Sequence, residues 1–486
     1  MTQSTTNPLP LWIKLLYGSG DFGISSVGMM RSIFLAIYLT DTVGLDPRLA
    51  SGGAFFGILW DAINDPIVGL LTDRLRTRWG RRRPFLLWFA IPFGLSFIIL
   101  WSAPNWDSEV ALLIYVTLSF MLADTLQTLI SVPYLSLTPE LTPDYDERTK
   151  LTSFRSFFQL LGVLMVAVAA PSIIDGVIIA GYTQQQGYML VGAIFGGIGA
   201  VPLILISLFI RERATAEQTE SLPFRETLRV AWQNIPFRYG VGIHMLNWSA
   251  VDMIASTFQF FLIYWVAQGN LLANVPVHIA IFGFAFDLNL ALESAFFGIL
   301  MLVCILFIRF WLWLARVRNK REAYMLGMTF WVIVQLMIFT IQPGQVGYLL
   351  VIAALAGIGV SAAYVLPDSL FADIIEWDEV RTRRRQEGIY YGIRALIRKL
   401  TGAFVILITL QALGWSGYQA PPDGVTQFLQ PESALTMIRL LVSPFGAIML
   451  SGTIILTWFF PLSREKHYRI QKLLERRRAR TADRKL

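Results

Sequence analysis

Apolar stretches of about 20 residues recur along the whole of this 486-residue chain, and each can cross roughly 30 Å of hydrocarbon. Twelve such spans are read near 11–40, 50–73, 85–103, 110–138, 153–176, 187–210, 238–267, 291–315, 323–342, 347–372, 387–414 and 438–461. Only 15% of the residues carry charge, against about a quarter in a soluble chain. In hydrocarbon, backbone polar groups must be satisfied within each segment, so spans of this length are helices. The expected fold is an all-α membrane protein. The stretch 268–290 is apolar but broken by Asn, Pro and Asp287, and is expected to be an external loop lying against the bundle.

The connections sort by charge. Those after even-numbered spans are basic, as in Arg74 to Arg83, Arg211 to Arg229, Arg316 to Arg321 and Arg381 to Arg385. Those after odd-numbered spans hold almost no Lys or Arg, Arg48 being the exception. The positive-inside rule then places both termini in the cytoplasm, in a multi-pass plasma (inner) membrane protein. The formal net charge of +7 reports this orientation and gives no reason to expect a nucleic-acid partner. No cleavable signal peptide is expected, because the first apolar stretch is too long for one. The lone cysteine, Cys304, and three scattered histidines exclude an internal disulfide and a thiolate metal site.

The polar segment 211–237 divides the spans six and six. The domains expected are an N-terminal six-helix bundle (1–210), a cytoplasmic central loop (211–237), a C-terminal six-helix bundle (238–463) and a basic tail (464–486). A faint repeat links the halves. Tyr145-Asp-Glu-Arg-Thr149 follows the fourth span and Trp377-Asp-Glu-Val-Arg-Thr382 follows the tenth. Transporters built from two such repeats bind substrate near the midplane.

Span two reads Gly57-Ile-Leu-Trp-Asp61-Ala-Ile-Asn-Asp65-Pro66, with both Asp on one helical face. A charge at mid-span costs about 2.5–3.5 kcal/mol on insertion scales and usually marks an ion or substrate path. Two adjacent carboxylates offer hard oxygen ligands to Na⁺. Their mutual repulsion equally lets the pair take a proton. A purely structural pair held by a basic residue is the alternative, though no Lys or Arg lies within a turn on this span.

Lys399 lies inside span eleven, near Arg394 and Arg398. It either couples to the Asp pair or snorkels to the membrane edge. Span one carries Asp21 and Arg31, about 15 Å apart along the axis. Asp21 suits a cytoplasmic gate. Arg31 suits either an acidic group on a substrate or a structural acid, Asp252 or Asp368. Gly69, Asp73 and Arg74, at the end of span two, read as a conformational latch or as a solvated basic loop. Tyr134, Trp248 and Tyr364 are candidate stacking surfaces for a sugar ring, although most Trp and Tyr here belong to the core or the interfacial belt. No metal cluster, nucleophile elbow or phosphate loop points to an enzyme.

Several motifs together carry a family resemblance. They are Tyr17-Gly-x-Gly-Asp21, Tyr38-Leu-Thr-Asp-Thr-Val-Gly44, Trp60-Asp-Ala-Ile-Asn-Asp-Pro66, Arg78-Trp-Gly-Arg-Arg-Arg-Pro84, Val132-Pro-Tyr-Leu-Ser-Leu-Thr-Pro139, Glu147-Arg-Thr149 and Arg385-Gln-Glu-Gly-Ile-Tyr-Tyr-Gly392. From about residue 11 to 460 the chain resembles the glycoside–pentoside–hexuronide:cation symporters of the major facilitator superfamily, in their melibiose-permease branch. The resemblance implies twelve helices in two pseudo-symmetric bundles. It also implies symport driven by Na⁺ or H⁺ with no other cofactor, in a protein functional as a monomer. By matching motif, Asp61 and Asp65 fall on the family's cation-binding carboxylates, and Thr128 on its cation-site threonine. Lys399 falls on its essential lysine, and Arg155 on an arginine near the sugar site. Ser25 and Ser131 stand where the galactoside carriers hold sugar hydroxyls with two acids. The galactoside clamp is therefore absent, and the two uncharged seryl positions with Arg31 and Arg155 fit an anionic sugar, such as a hexuronide or sulfonated sugar, better than a neutral galactoside. Vertebrate lysolipid symporters resemble the same cation region, so a lysolipid or other amphiphile is the alternative cargo.

Overall fold

The computed structural model describes residues 9–74, 77–142, 144–210, 232–281, 284–382, 387–422, 424–462, 466, 469–470 and 472–473. Helices occupy the expected positions. They are α1 (Leu11–Thr42), α2 (Pro47–Arg74), α3 (Arg83–Leu100), α4 (Glu109–Leu141), α5 (Tyr145–Ile179) and α6 (Gln184–Phe209). There follow α7 (Ile235–Val266), α8 (Leu292–Val317), α9 (Lys320–Ile338), α10 (Val346–Thr382), α11 (Glu387–Trp415) and α12 (Glu432–Trp458). Among the described residues, ten of these are long and apolar enough to cross a membrane. The other two, α2 and α9, are diluted by their charged and polar residues.

Segment 268–290 corrects the sequence reading. Most of it is a two-stranded antiparallel ribbon, β1 (Asn274–Ile281) and β2 (Phe284–Ala291), not a loop. The period-two alternation Val275, Val277, Ile279, Ile281 and Phe284, Phe286, Leu288, Leu290 is the signal for it.

Helix starts follow their caps. Ser108 accepts from the Ala111 amide, Asp144 from the Glu147 amide, and Thr183 closes a capping box with Gln186. Asp46 precedes Pro47 and accepts from the Arg48 amide at 2.8 Å. The Arg48 guanidinium hydrogen-bonded to Asp46 also holds that carboxyl below the usual range.

Two compact units emerge. The first comprises Met1–Gln218, Ala255–Gly298 and Ile406–Ile438. The second comprises Thr219–Ile254, Ile299–Val405 and Arg439–Leu486. The division follows packing and not sequence order, since the ends of α7 and α11 and the ribbon pack with α1–α6.

Within the first unit, small residues let helices touch. A Cβ on Gly23 of α1 would sit 2.3 Å from the Gly199 Cα of α6. Gly23→Ala should therefore lower the melting temperature of detergent-purified protein, because overpacking a tight contact costs about 1–3 kcal/mol. Gly28→Ala, with nothing within 4 Å of its added Cβ, should leave that melt unchanged. If both variants melt alike, the close α1–α6 approach is wrong.

One ion-pair pattern appears in both units. In the first, Arg81 and Arg82, between α2 and α3, reach Glu140 near the end of α4 at 3.2 and 3.6 Å. In the second, Lys320, at the start of α9, reaches Asp373 of α10 at 2.5 Å. Basic residues after the second helix of each repeat thus meet an acid on the fourth. This equivalence strengthens the faint sequence repeat.

Candidate functional site

α2 carries Asp61 and Asp65 on successive turns of one face, and α4 lies against it. The Thr128 hydroxyl of α4 stands 3.4 Å from Asp61 Oδ1 and 3.2 Å from Asp65 Oδ1. Thr128 is buried, and both aspartates are half-buried. Trp60 braces the two helices by donating its indole N–H to the Thr125 hydroxyl at 2.8 Å. The result is a group of hard oxygens from two helices.

Sequence reasoning missed a third carboxylate here. Asp124 lies one turn before Thr128 on α4 and is 3% exposed. Its Oδ1 accepts from Arg31 Nη1 at 3.0 Å, while Arg31 Nη2 donates to Gln127 at 2.6 Å. Its Oδ2 is buried without a donor, and its carboxyl lies within hydrogen-bonding reach of Asp61. Arg31 thus finds its acid on α4, and neither suggested partner serves. Asp252 is held by both terminal nitrogens of Arg398, at 2.5 and 2.7 Å, and Asp368 by Arg394. The overlooked signal was Asp124-Thr-Leu-Gln-Thr128, the same four-residue spacing that marked the α2 pair. Among the described residues, no three His, Cys, Asp or Glu side chains converge on one metal position. The first-unit site is therefore a carboxylate pair with a hydroxyl, flanked by a third acid already compensated by arginine.

The other residues singled out from sequence divide clearly. Ser25 and Ser131 are half-buried, and among the described residues neither hydroxyl has a hydrogen-bond partner. Arg155 is spent on Asp21, with Nε to Oδ2 at 2.6 Å, and lies over the Tyr134 ring. Tyr134 is no stacking platform in this conformation: it is 0% exposed, and its hydroxyl donates to the Tyr17 carbonyl at 2.6 Å. The side chains of Asp73 and Arg74 lie outside the described side chains, and Gly69 has open space where a Cβ would go. Glu140 with Arg81 and Arg82 supplies a described ion pair at that end of the helices.

In the second unit, Trp248 and Tyr364 meet edge to face at 5.2 Å. The Arg398 guanidinium covers Trp248 at 4.4 Å from the ring centroid, while Tyr364 stays 37% exposed. Lys399 follows Arg398 on α11 and is half-buried.

Comparison with known proteins places the chain in a family. The model of the MFS/sugar transport protein family matches residues 16–464. A symporter of Synechocystis is 31% identical over 98% of this chain and 99% of the relative. The chain therefore belongs to that family of membrane transporters and is not an enzyme. The sodium-dependent lysophosphatidylcholine symporter 1 of Gallus gallus is 25% identical over 95% of this chain and 88% of that protein. The isoprimeverose transporter of Lactiplantibacillus pentosus is 23% identical over 85% and 82%. In fold, the chain is similar to the crystal structure of a bacterial homologue of the lysosomal transporter Spinster, with a TM-score of 0.63 and 14% identity. That alignment covers 93% of this chain and 96% of the other.

Proposed function

We propose that this chain is a secondary active symporter that couples Na⁺ or H⁺ entry to uptake of a neutral sugar or glycoside by alternating access. The carrying observation is the Thr128 hydroxyl bridging Asp61 and Asp65 at 3.4 and 3.2 Å. A cation between these oxygens neutralises the pair. Emptying it leaves two like charges on one helical face, so occupancy and conformation are linked by a reciprocal free energy. Lys399 of α11 is proposed as the coupling residue. The protein acts as a monomer in the inner membrane with both termini cytoplasmic.

The anionic-sugar expectation weakens here. It rested on Arg31 and Arg155, and both are paired with internal acids, Asp124 and Asp21. The unspent hydroxyls of Ser25 and Ser131 suit an uncharged polyhydroxy ligand better. The second reading is a lysolipid, motivated by the relative that carries lysophosphatidylcholine.

A thermal-shift screen of the purified protein separates these readings. The probes are isoprimeverose, an acid sugar such as glucuronic acid, and lysophosphatidylcholine, each with and without Na⁺ at two pH values. Stabilisation by the neutral glycoside, larger when the coupling ion is present, is expected. A shift with lysophosphatidylcholine alone would transfer the function to the amphiphile reading.

A further inference from the structure

A pair of buried acids lies within the first unit, apart from the half-buried α2 pair. Asp175 stands near the end of α5 and Glu293 at the start of α8. The Ser172 and Ser294 hydroxyls hydrogen-bond each other at 2.9 Å and pin these two helix ends together. Asp175 lies three residues after Ser172, on the same face of α5, and Glu293 immediately precedes Ser294. The two carboxyl groups are therefore neighbours, close enough for their charges to act on each other. Asp175 is 9% exposed, Glu293 6% and Ser294 1%.

Neither acid has a basic partner among the described residues. Among the described residues, no Lys, Arg or His acts electrostatically on either one. Tyr188 of α6 lies within electrostatic reach of both acids, and of Asp41 and Tyr38 of α1. Asp41 is itself buried, and its oxygens accept from the neutral hydroxyls of Thr40, Tyr418 and Tyr264. His278 and Asp287 of the ribbon lie outside the described side chains. A separate observation points to something missing. Asp175 Oδ2 is fully buried and has no hydrogen-bond partner. An acceptor left this way is destabilising, the more so when it is charged. Two ionised carboxylates side by side in a buried site, with no counter-charge, are costlier still.

We propose that Asp175 and Glu293, with the Ser172 and Ser294 hydroxyls, bind one small monovalent cation, a proton or a sodium ion. This site is distinct from Asp61 and Asp65. The ligand satisfies the orphaned oxygen and cancels the repulsion between α5 and α8. A bound cation then reinforces the Ser172–Ser294 contact between these helix ends, and its loss leaves that contact to oppose the repulsion alone. For sodium the bonds at stake are coordination bonds to the carboxylate oxygens. For a proton it is an O–H bond on one carboxyl, taken from water and returned to it on release; that O–H then donates a hydrogen bond to the other acid.

The test is thermal unfolding of purified protein over a grid of pH and NaCl, with choline chloride holding ionic strength constant. Asp65→Asn is the starting background, because it removes the first cation site. Expected is a cation-dependent rise in melting temperature that survives Asp65→Asn. Adding Asp175→Asn and Glu293→Gln, both near-isosteric and neutral, should abolish most of that rise. Dependence on pH alone identifies the ligand as a proton, and dependence on NaCl at fixed pH identifies sodium. The proposal is overturned if Asp65→Asn by itself removes all cation dependence, or if the triple variant keeps it. Should the triple variant not fold, infrared difference spectra of the otherwise native Asp175→Asn protein decide. The expected change is loss of a buried carboxyl or cation-bound carboxylate band between high- and low-cation buffers. An unchanged difference spectrum overturns the site.

Discussion

Asp65→Asn is expected to reduce gradient-driven accumulation in proteoliposomes to the level of liposomes without protein, and Asp61→Asn is expected to do the same. The amide keeps the size of the carboxyl and stays neutral, so the helix should insert and fold. What it removes is the anionic oxygen facing Thr128 at 3.2 or 3.4 Å. With one carboxylate neutral, the pair no longer attracts a cation, and closure no longer depends on one. Downhill exchange of substrate is expected to survive better than uphill accumulation, because exchange needs no net cation movement. The measurement is accumulation and counterflow in the same vesicles. Equal loss of both, in protein that melts normally, would make the pair part of the substrate site instead.

Arg31→Ala is expected to produce the largest loss of stability among the single changes considered. Its guanidinium compensates Asp124, whose side chain is 4% exposed, and the pair is sealed between α1 and α4. Removing one partner of a buried pair costs about 3–5 kcal/mol, because the other charge is left stranded. Asp124 then stands uncompensated beside Asp61, so cation affinity should change as well as stability. Arg31→Ala combined with Asp124→Asn should recover most of the lost melting temperature, since no charge is stranded. The double-variant cycle reads this coupling directly. If the two losses simply add, Arg31 does not act through Asp124, and direct substrate contact becomes its better account.

The sequence revealed what depends on local spacing. Long apolar stretches and alternating loop charge announced membrane helices without any contact information. Asp61 and Asp65 declared themselves because one helix carries both. Thr128 was reached only through motif resemblance, since nothing on α4 alone says that it faces α2. Asp124 was legible in principle as another intramembrane acid four residues from a threonine. It was overlooked because its significance depends on Arg31, 93 positions away. For the same reason, Arg31 and Arg155 looked like substrate-binding charges when read singly. Pairing across helices spends them, and spacing along one helix cannot report that. The β-ribbon is hidden for a different reason: in a chain so uniformly apolar, hydrophobicity drowns out its period-two alternation.

The most direct test of the coupling site is uptake of radiolabelled isoprimeverose into proteoliposomes holding the purified chain. Inward Na⁺ and H⁺ gradients are imposed separately, with Asp65→Asn protein alongside. The account predicts that one of the two gradients drives accumulation above equilibrium, and that Asp65→Asn abolishes it. Uphill accumulation that persists in Asp65→Asn protein would contradict the assignment of Asp61, Asp65 and Thr128 as the coupling site.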